Sequence, residues 1–224
     1  MASRVALLAA GGALAAGAWA ALDPDRGALA LFLAAFAVLV AGAAWLESGP
    51  DSVKDLTLIA TLGGLAAAGR VLFAPVPDVQ PVTVIVAAAG AALGARRGFA
   101  VGALAALASN FVLGQGPYTP WQMLAWGGCG LAAGVFRPVL RSRYAFAGFC
   151  LVLGFAYGAV MDFWLWYGYY PHTAASLLVR LGAGLPFNTA HAIGNVVLAL
   201  VAGPELRRLL ERYGKRLRTE IVWA

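Results

Sequence analysis

The sequence predicts an all-α membrane protein in which eight helices cross the bilayer. First, 62% of the 224 residues are hydrophobic and 12% are charged. Second, residues 27–46, 98–136 and 181–204 contain no Asp, Glu, Lys or Arg, and an apolar run of ~18 residues can cross a bilayer. Third, Ala, Leu, Gly and Val follow one another continuously, without the alternation of apolar and polar residues that is typical of membrane β-strands. The same features exclude a disordered chain and an ordinary soluble domain.

Turn residues and charges between the apolar runs divide the chain into helices. The predicted ranges are 5–21, 28–46, 54–73, 80–95, 98–114, 120–136, 145–168 and 181–203. Cys129 and Cys150 both fall inside apolar runs. We therefore expect them to be small core residues, with neither a disulfide framework nor a zinc site.

The basic residues predict the orientation of the chain. With a cytoplasmic N-terminus, inside segments contain 13 of the 16 Lys and Arg residues, outside segments contain Arg26 and Arg180, and Arg70 lies within a span. Cytoplasmic loops carry the excess of Lys and Arg in multi-pass proteins. We therefore expect a plasma-membrane protein whose termini both lie in the cytoplasm if the first span is retained, and we expect no nucleic-acid partner despite the net charge of +6.

The first run has two interpretations. Arg4 before an apolar stretch, with Ala18-Trp19-Ala20 at its end, fits either a retained span or a cleaved secretory signal, and both place later loops on the same side. The predicted organisation is an N-terminal transmembrane hairpin (1–52), a six-helix membrane domain (53–203) and a basic cytoplasmic tail (204–224).

Three predicted outer loops differ from the short basic turns on the other side. Residues 74–81, 114–121 and 168–174 are rich in Pro, Gly, Tyr and amides and almost free of charge. Proline stiffens a loop, while aromatic and amide side chains offer stacking faces and hydrogen bonds. The three loops either form the mouth of a binding site or are tight turns with interfacial aromatic residues.

Polar residues inside the spans are the next candidates. A charge at mid-bilayer costs at least ~2.5–3.5 kcal/mol, so Arg70 and Asp162 need partners or a route to the interface. Asn188, His191 and Asn195 are three and four residues apart, which places them on one helical face toward the bundle interior. Such side chains bind a ligand or hold helices together. Asn110, Gln115 and Gln122 also lie in the outer half.

Enzyme motifs are sparse in this sequence. His191 and Asn195 resemble the His and Asn pair of rhomboid-type intramembrane proteases, but no Gly-x-Ser-Gly nucleophile accompanies them. The sequence also lacks a P-loop and a His-Glu-x-x-His zinc motif. We expect a protein that is not an enzyme and has no catalytic, metal or cofactor site. The alternatives are an intramembrane enzyme using His191 and Asp162, or a structural membrane assembly partner.

An ordered series of motifs lies between residues 77 and 134. It comprises Val79-Gln80-Pro81-Val82-Thr83, Gly94-Ala95-Arg96-Arg97-Gly98-Phe99, Ser109-Asn110-Phe111, Gly114-Gln115-Gly116-Pro117 and Thr119-Pro120-Trp121-Gln122-Met123. Residues 53–203 thereby resemble the substrate-binding S component of energy-coupling factor (ECF) vitamin transporters, particularly the cobalamin-linked subgroup. The fold implied is the six-helix S-component bundle preceded by two extra N-terminal transmembrane helices.

The resemblance implies a subunit that captures a cobalamin-type vitamin or a related precursor. Its partners would be an ECF transmembrane coupling subunit and two cytoplasmic ATPases, which supply the energy. Docking onto the coupling subunit would use the small residues Ala60, Gly64 and Ala68, with glycine where the family has its second alanine. The expected substrate contacts are Arg70, Gln80, Asn110, Gln115, Tyr118, Trp121, Gln122, Asp162, Trp166, Asn188 and His191.

Overall fold

A computed structural model describes residues 2–47 and 53–218, and within these ranges it contains nine α-helices, a 3-10 helix at Pro24–Arg26 and no strand. The helices are α1 (Ala2–Ala20), α2 (Gly27–Glu47), α3 (Val53–Leu72), α4 (Val82–Leu93), α5 (Ala95–Leu113), α6 (Thr119–Val135), α7 (Arg143–Tyr169), α8 (Ala174–Val201) and α9 (Gly203–Arg218). The predicted all-α class is confirmed.

The first eight helices lie where the eight spans are predicted. Among the described helices, four (α2, α3, α7 and α8) are long and apolar enough, by length and composition, to cross a membrane. Shorter apolar stretches occur in α1, at Leu8–Ala20, and in α4, at Val82–Leu93. The chain is therefore a multi-pass membrane protein built from helices of unequal length.

Helix α4, with 12 residues, is the central helix of the bundle. Ten of its 12 residues are buried, and it packs against α3, α5, α6 and α9. A helix that is apolar on all sides is covered either by other protein elements or by lipid, and here the burial of its side chains shows protein contacts. Protein, rather than lipid, therefore covers α4.

Glycines allow α4, α5 and α6 to pack backbone against backbone. A Cβ atom added to Gly90 of α4 or to Gly98 of α5 would collide with the carbonyl oxygen of Gly130 in α6. Small residues permit such close approach between membrane helices. This packing fixes the relative heights of the side chains that these three helices carry.

The turn between α4 and α5 is tighter than predicted. The predicted helix ranges leave residues 96–97 as the turn, but α5 already begins at Ala95 and Gly94 alone makes the break, with a φ of 99°. A left-handed φ favours glycine, so one residue is enough to reverse the chain. Arg97 consequently lies in the first turn of α5, where it pairs with Asp55 of α3 at 3.1 Å.

Two predictions near the C-terminus need correction. Helix α8 begins at Ala174 rather than at 181, because the Thr173 hydroxyl caps it by accepting from the backbone N–H of Ser176. Arg180 therefore lies in a helix and not in a loop. The predicted basic tail is largely the amphipathic helix α9, whose Leu210 is buried in the core cluster, while residues 219–224 lie outside the described ranges.

The N-terminal hairpin packs onto the remaining bundle. Helices α1 and α2 contact each other, and α2 contacts α6 and α7. The contact with α7 is close, because a Cβ on Gly27 would lie 2.9 Å from the carbonyl oxygen of Tyr167. Below, the "loop end" is the end of the bundle with residues 73–81 and 114–118, and the "basic end" is the end with Gly94 and α9.

Candidate functional site

Arg70 is a buried cation near the loop end of α3. It is 7% exposed, and its Nη1 donates to the Ser109 hydroxyl at 2.7 Å and to Asn110 Oδ1 at 2.5 Å. Its Nη2 lies 3.5 Å from Gln122 Oε1. The side chain therefore joins α3 to the loop-end turns of α5 and α6.

Amide and hydroxyl groups extend this contact to the loop at residues 114–118. The Asn110 amide donates to Gln122 Oε1 at 2.8 Å and to the Thr119 hydroxyl at 2.9 Å. The Thr119 hydroxyl donates to Gln115 Oε1 at 2.9 Å. In the same loop the Tyr118 hydroxyl donates to the Gly114 carbonyl at 2.8 Å. We call Arg70, Ser109, Asn110, Thr119 and Gln122 the Arg70 cluster.

Trp126 connects the Arg70 cluster with His191. The Arg70 guanidinium lies 4.8 Å from the centre of the Trp126 ring, within the range of a cation–π contact. The Trp126 Nε1–H donates to the Thr83 hydroxyl at 3.1 Å, and that hydroxyl lies 3.1 Å from His191 Nε2. On its other side, His191 Nδ1 lies 2.8 Å from the carbonyl oxygen of Asp78.

This geometry assigns the hydrogen atoms of His191. The Asp78 carbonyl can only accept, so the hydrogen of the neutral imidazole is on Nδ1. His191 Nε2 then accepts from Thr83, whose oxygen in turn accepts from Trp126. The three groups form one directional series that fastens the 73–81 loop to α4, α6 and α8.

Tyr157 of α7 completes an aromatic wall beside this series. Its ring stacks on Trp126 at 4.3 Å and lies 5.3 Å from the His191 ring. The side chain packs against the core while remaining partly exposed. Every helix from α3 to α8 thus contributes to one polar and aromatic region at the loop end.

Arg70 has no acidic partner in the described part of the chain, because none of the salt bridges found there includes it. Two buried donors, Arg70 Nε and Trp121 Nε1, also lack a hydrogen-bond partner within the described residues. A buried charge is normally paired, since removal of its hydration is costly. Arg70 is therefore a buried positive charge without an ion-pair partner among the described residues.

Asp162 belongs to a different network, within the α7–α8 hairpin. It is 4% exposed, and its Oδ1 accepts from Arg180 Nε at 3.0 Å and Nη2 at 2.5 Å. Its Oδ2 accepts from Asn188 at 2.8 Å. Gly158 and Gly184 make room, because a Cβ at either position would collide with Asn188 or with Asp162. The charge of Asp162 is thus neutralised within the hairpin.

Asn195 is fully buried, and neither atom of its amide has a partner among the described residues. It faces Gly154 of α7, where a Cβ would lie 2.9 Å from its amide nitrogen. Asn188, His191 and Asn195 all face neighbouring helices, as their spacing predicts. Asn188 and His191 have different hydrogen-bond partners and Asn195 has none among the described residues, so the three side chains do not form one network.

The matched family covers most of the membrane domain. A family model described as "Family of unknown function (DUF6580)" matches residues 51–208. The chain belongs to this family. No curated protein and no solved structure matches the chain. The DUF6580 match begins after the N-terminal hairpin and includes every residue of the loop-end region described above.

The DUF6580 domain brings some of the predicted contacts together. Arg70, Asn110 and Gln122 form one cluster, with Gln115 and Tyr118 at its border and the half-buried Trp121 beside Gln122 in sequence. His191 joins them through Thr83 and Trp126. Gln80 is half-buried in the loop that His191 contacts. Asp162 and Asn188 lie in the separate hairpin network.

The third predicted loop does not meet the first. His191 contacts the 73–81 loop but lies roughly 25 Å along α8 from Ala174, at 1.5 Å per residue. At the hairpin tip, Trp166 donates to the Ser176 hydroxyl at 2.9 Å and His172 stacks on Tyr167 at 4.6 Å. Trp166 therefore stabilises the tip of the hairpin in this structure.

Sequence reasoning missed Thr83, Trp126, Tyr157 and Arg180. Thr83, Trp126 and Tyr157 lie in charge-free segments. Polar sites are identified in the sequence from amide and charged side chains, and these three residues have neither. Thr83 belongs to the motif Val79-Gln80-Pro81-Val82-Thr83. Its hydroxyl group in an otherwise apolar helix is the sequence feature that indicates a buried hydrogen bond. Arg180 was assigned to a loop, which concealed its position relative to Asp162.

The small residues of α3 lie on the surface of the DUF6580 domain. Ala60, Gly64 and Ala68 are exposed, and no atom lies within 4 Å of a Cβ built on Gly64. Within the described residues, no three His, Cys, Asp or Glu side chains are grouped as metal ligands. Cys129 and Cys150 are free and buried, as expected of core residues.

Proposed function

We propose that this chain is the membrane-embedded substrate-binding subunit of an ATP-driven ECF-type micronutrient importer. The single observation that carries the proposal is the buried Arg70, which has no ion-pair partner among the described residues. A solute with a negative or acceptor-rich group would supply the missing partner. Cobalamin-type vitamins and related precursors carry such groups, and the motif series favours that subgroup.

The surrounding geometry supports a binding role. Arg70 Nε and Trp121 Nε1 are donors without partners in the described chain, and the Trp126 ring, which stacks on Tyr157, forms an aromatic wall beside Arg70. Specific sites combine apolar walls with a few oriented polar groups. In the proposed cycle the 73–81 and 114–118 loops open to admit the solute, since Arg70 and Asn110 are buried in the present state.

The partner chains would be a transmembrane coupling subunit and two ATPases. The exposed stripe of Ala60, Gly64 and Ala68 is proposed as the docking face, because small residues let another helix approach closely. With the positively charged basic end in the cytoplasm, that face would lie in the plasma membrane. Energy for release would come from the ATPases, since the sequence has no P-loop.

A structural assembly role is the second candidate, and the Asp162–Arg180–Asn188 network favours it. There the polar groups satisfy one another, as they do when they only hold helices together. The enzyme alternative gains less support, because Asp162 and His191 belong to separate networks.

The deciding experiment is mass spectrometry of small molecules retained by the purified full chain, followed by titration with cyanocobalamin. We expect a retained vitamin or a saturable binding curve. Failure to retain or bind any vitamin, by protein that keeps its helical circular dichroism and thermal transition, would favour the structural role.

A further inference from the structure

The basic end carries a cavity that is separate from the Arg70 cluster. Its volume is about 310 Å³, at the lower end of the ~300–1,000 Å³ of small-molecule sites. Phe146, 1% exposed, lines it together with Pro204 and Glu211. Four guanidinium groups surround these residues, from Arg141, Arg143, Arg207 and Arg208.

Acidic side chains neutralise only part of this charge. Arg207 lies 3.4 Å from Glu211 and donates to the Leu140 carbonyl, and Arg208 pairs with Glu205 at 2.6 Å. Arg141 and Arg143 are exposed and form no ion pair within the described residues. Two guanidinium groups without an ion-pair partner among the described residues thus border a cavity that already has net positive charge, and that of Arg143 lies 5.1 Å from the centre of the Tyr144 ring.

The location of the cavity suggests its ligand. Helix α9 starts two residues after α8 ends, and its Leu210 is buried against the bundle while Arg208 and Arg212 are exposed. Because α9 follows the last apolar helix and packs on α4, α7 and α8 at the basic end of the bundle, it lies at the depth of the lipid headgroups. Basic pockets between helix ends at that depth bind anionic lipid headgroups.

We propose that this cavity binds the phosphate of an anionic phospholipid. The guanidinium groups of Arg141 and Arg143 match the phosphate oxygens, since the planar fork of arginine donates two parallel hydrogen bonds. Phe146 and Pro204 form an apolar floor for the glycerol part of the lipid. Glu211 keeps Arg207 in place at the inner edge. This inference does not depend on the proposed importer function.

The test uses the full chain in nanodiscs that contain either phosphatidylcholine alone or added phosphatidylglycerol, with native mass spectrometry of the released protein. We compare wild type with the Arg141→Gln/Arg143→Gln double variant. The control is Lys54→Gln/Arg212→Gln, which removes the same charge from residues outside the cavity. Arg141→Gln alone is a milder variant, and circular dichroism checks the fold of each protein.

We expect wild type and control to retain phosphatidylglycerol preferentially, and the double variant to retain it about 10- to 30-fold less, as two interfacial arginines predict. Equal loss in the control would show diffuse attraction and overturn the site. If millimolar inorganic phosphate displaces the lipid, the cavity is a site for free phosphate, and the assignment to a phospholipid is overturned. No preference in wild type would also overturn it and leave an acidic protein segment as the candidate.

Discussion

The guanidinium of Arg70 lies 4.8 Å from the ring centre of Trp126, and this contact unites two polar systems that would otherwise be separate. On one side are the amides and hydroxyls of α5 and α6. On the other, Thr83 and His191 lead to the 73–81 loop. A negative group that binds next to Arg70 would therefore be linked to that loop through Trp126, Thr83 and His191.

Replacing Arg70 should weaken solute binding. For Arg70→Gln we expect cyanocobalamin affinity about 10- to 150-fold below wild type, the effect of a charged hydrogen bond worth ~1.5–3 kcal/mol. Tryptophan fluorescence titration in detergent measures it. Arg212→Gln removes an exposed arginine at the basic end as a control. Equal affinities for wild type and Arg70→Gln would contradict the role given to Arg70.

Removing the Thr83 hydroxyl should destabilise the bundle. In Thr83→Val the buried Trp126 Nε1–H loses its acceptor and His191 Nε2 loses its donor, a cost of ~1–3 kcal/mol. Chemical unfolding in detergent, followed by circular dichroism, measures the loss. The control is Thr61→Val, whose exposed hydroxyl bonds only to the Thr57 carbonyl and should change stability by no more than ~0.5 kcal/mol. Similar losses in both variants would rule out the series of Trp126, Thr83 and His191.

The pairing of Asp162 with Arg180 predicts non-additive substitutions. We expect Asp162→Asn and Arg180→Gln each to cost ~1–3 kcal/mol, below the usual cost of breaking a fully buried pair because the Arg180 side chain is 20% exposed. The double variant should cost less than the sum, with a coupling of ~0.5–3 kcal/mol. The free energies of unfolding of wild type, the two single variants and the double variant form a double-mutant cycle. Strictly additive losses would mean that the pair does not form.

Asp78 should make stability depend on pH. Burial raises the pKa of the Asp78 carboxyl above its ordinary value of 3.8, while His191 acts in the opposite direction. A raised carboxyl pKa means that ionisation opposes folding, so stability is lost as pH rises from 3.8 toward the raised pKa. Asp78→Asn removes this cost, and asparagine tolerates the left-handed φ of 58° at this position.

The expected result is a higher melting temperature for Asp78→Asn than for wild type at pH 7.5. The difference should shrink at pH 4.5, where more of the wild-type carboxyl is protonated in the folded protein. Thermal scans of both proteins at the two pH values give the comparison. A pH-independent difference would assign the effect to some property other than ionisation.

The exposed stripe on α3 should serve transport but not binding. We expect Ala60→Trp/Gly64→Trp to bind cyanocobalamin with wild-type affinity and to abolish uptake in cells that also make the coupling subunit and ATPases, because bulky rings prevent close helix packing. Val152→Trp places one ring on the exposed face of α7 as a control. If binding falls with uptake, the stripe belongs to the solute site and not to a docking face.

The sequence predicts the helices well because each apolar run ends at a charge or turn residue. It fails at α9, where Leu206, Leu209, Leu210 and Tyr213 repeat with helical spacing among arginines. Low mean hydropathy concealed that amphipathic pattern. It also fails at α8, because the Thr173 cap extends the helix through a polar segment that resembles a loop.

The site was predicted only in part. Arg70, Asn110 and Gln122 were recognisable as polar groups near helix ends, and their common location follows from antiparallel packing. Their individual partners could not be predicted, since a hydrogen bond depends on relative helix heights that glycine contacts such as Gly90 on Gly130 set in three dimensions. The Asp162 pair depends likewise on the register of α7 against α8.

The glycine contacts among α4, α5 and α6 also limit how the protein can move. Helices whose backbones touch cannot slide past one another without steric overlap, so these three behave as one rigid body. A molecule can then reach the Arg70 region in two ways. Either the 73–81 and 114–118 loops move aside, or the longer helices α7 and α8 tilt relative to the fixed helices α4, α5 and α6.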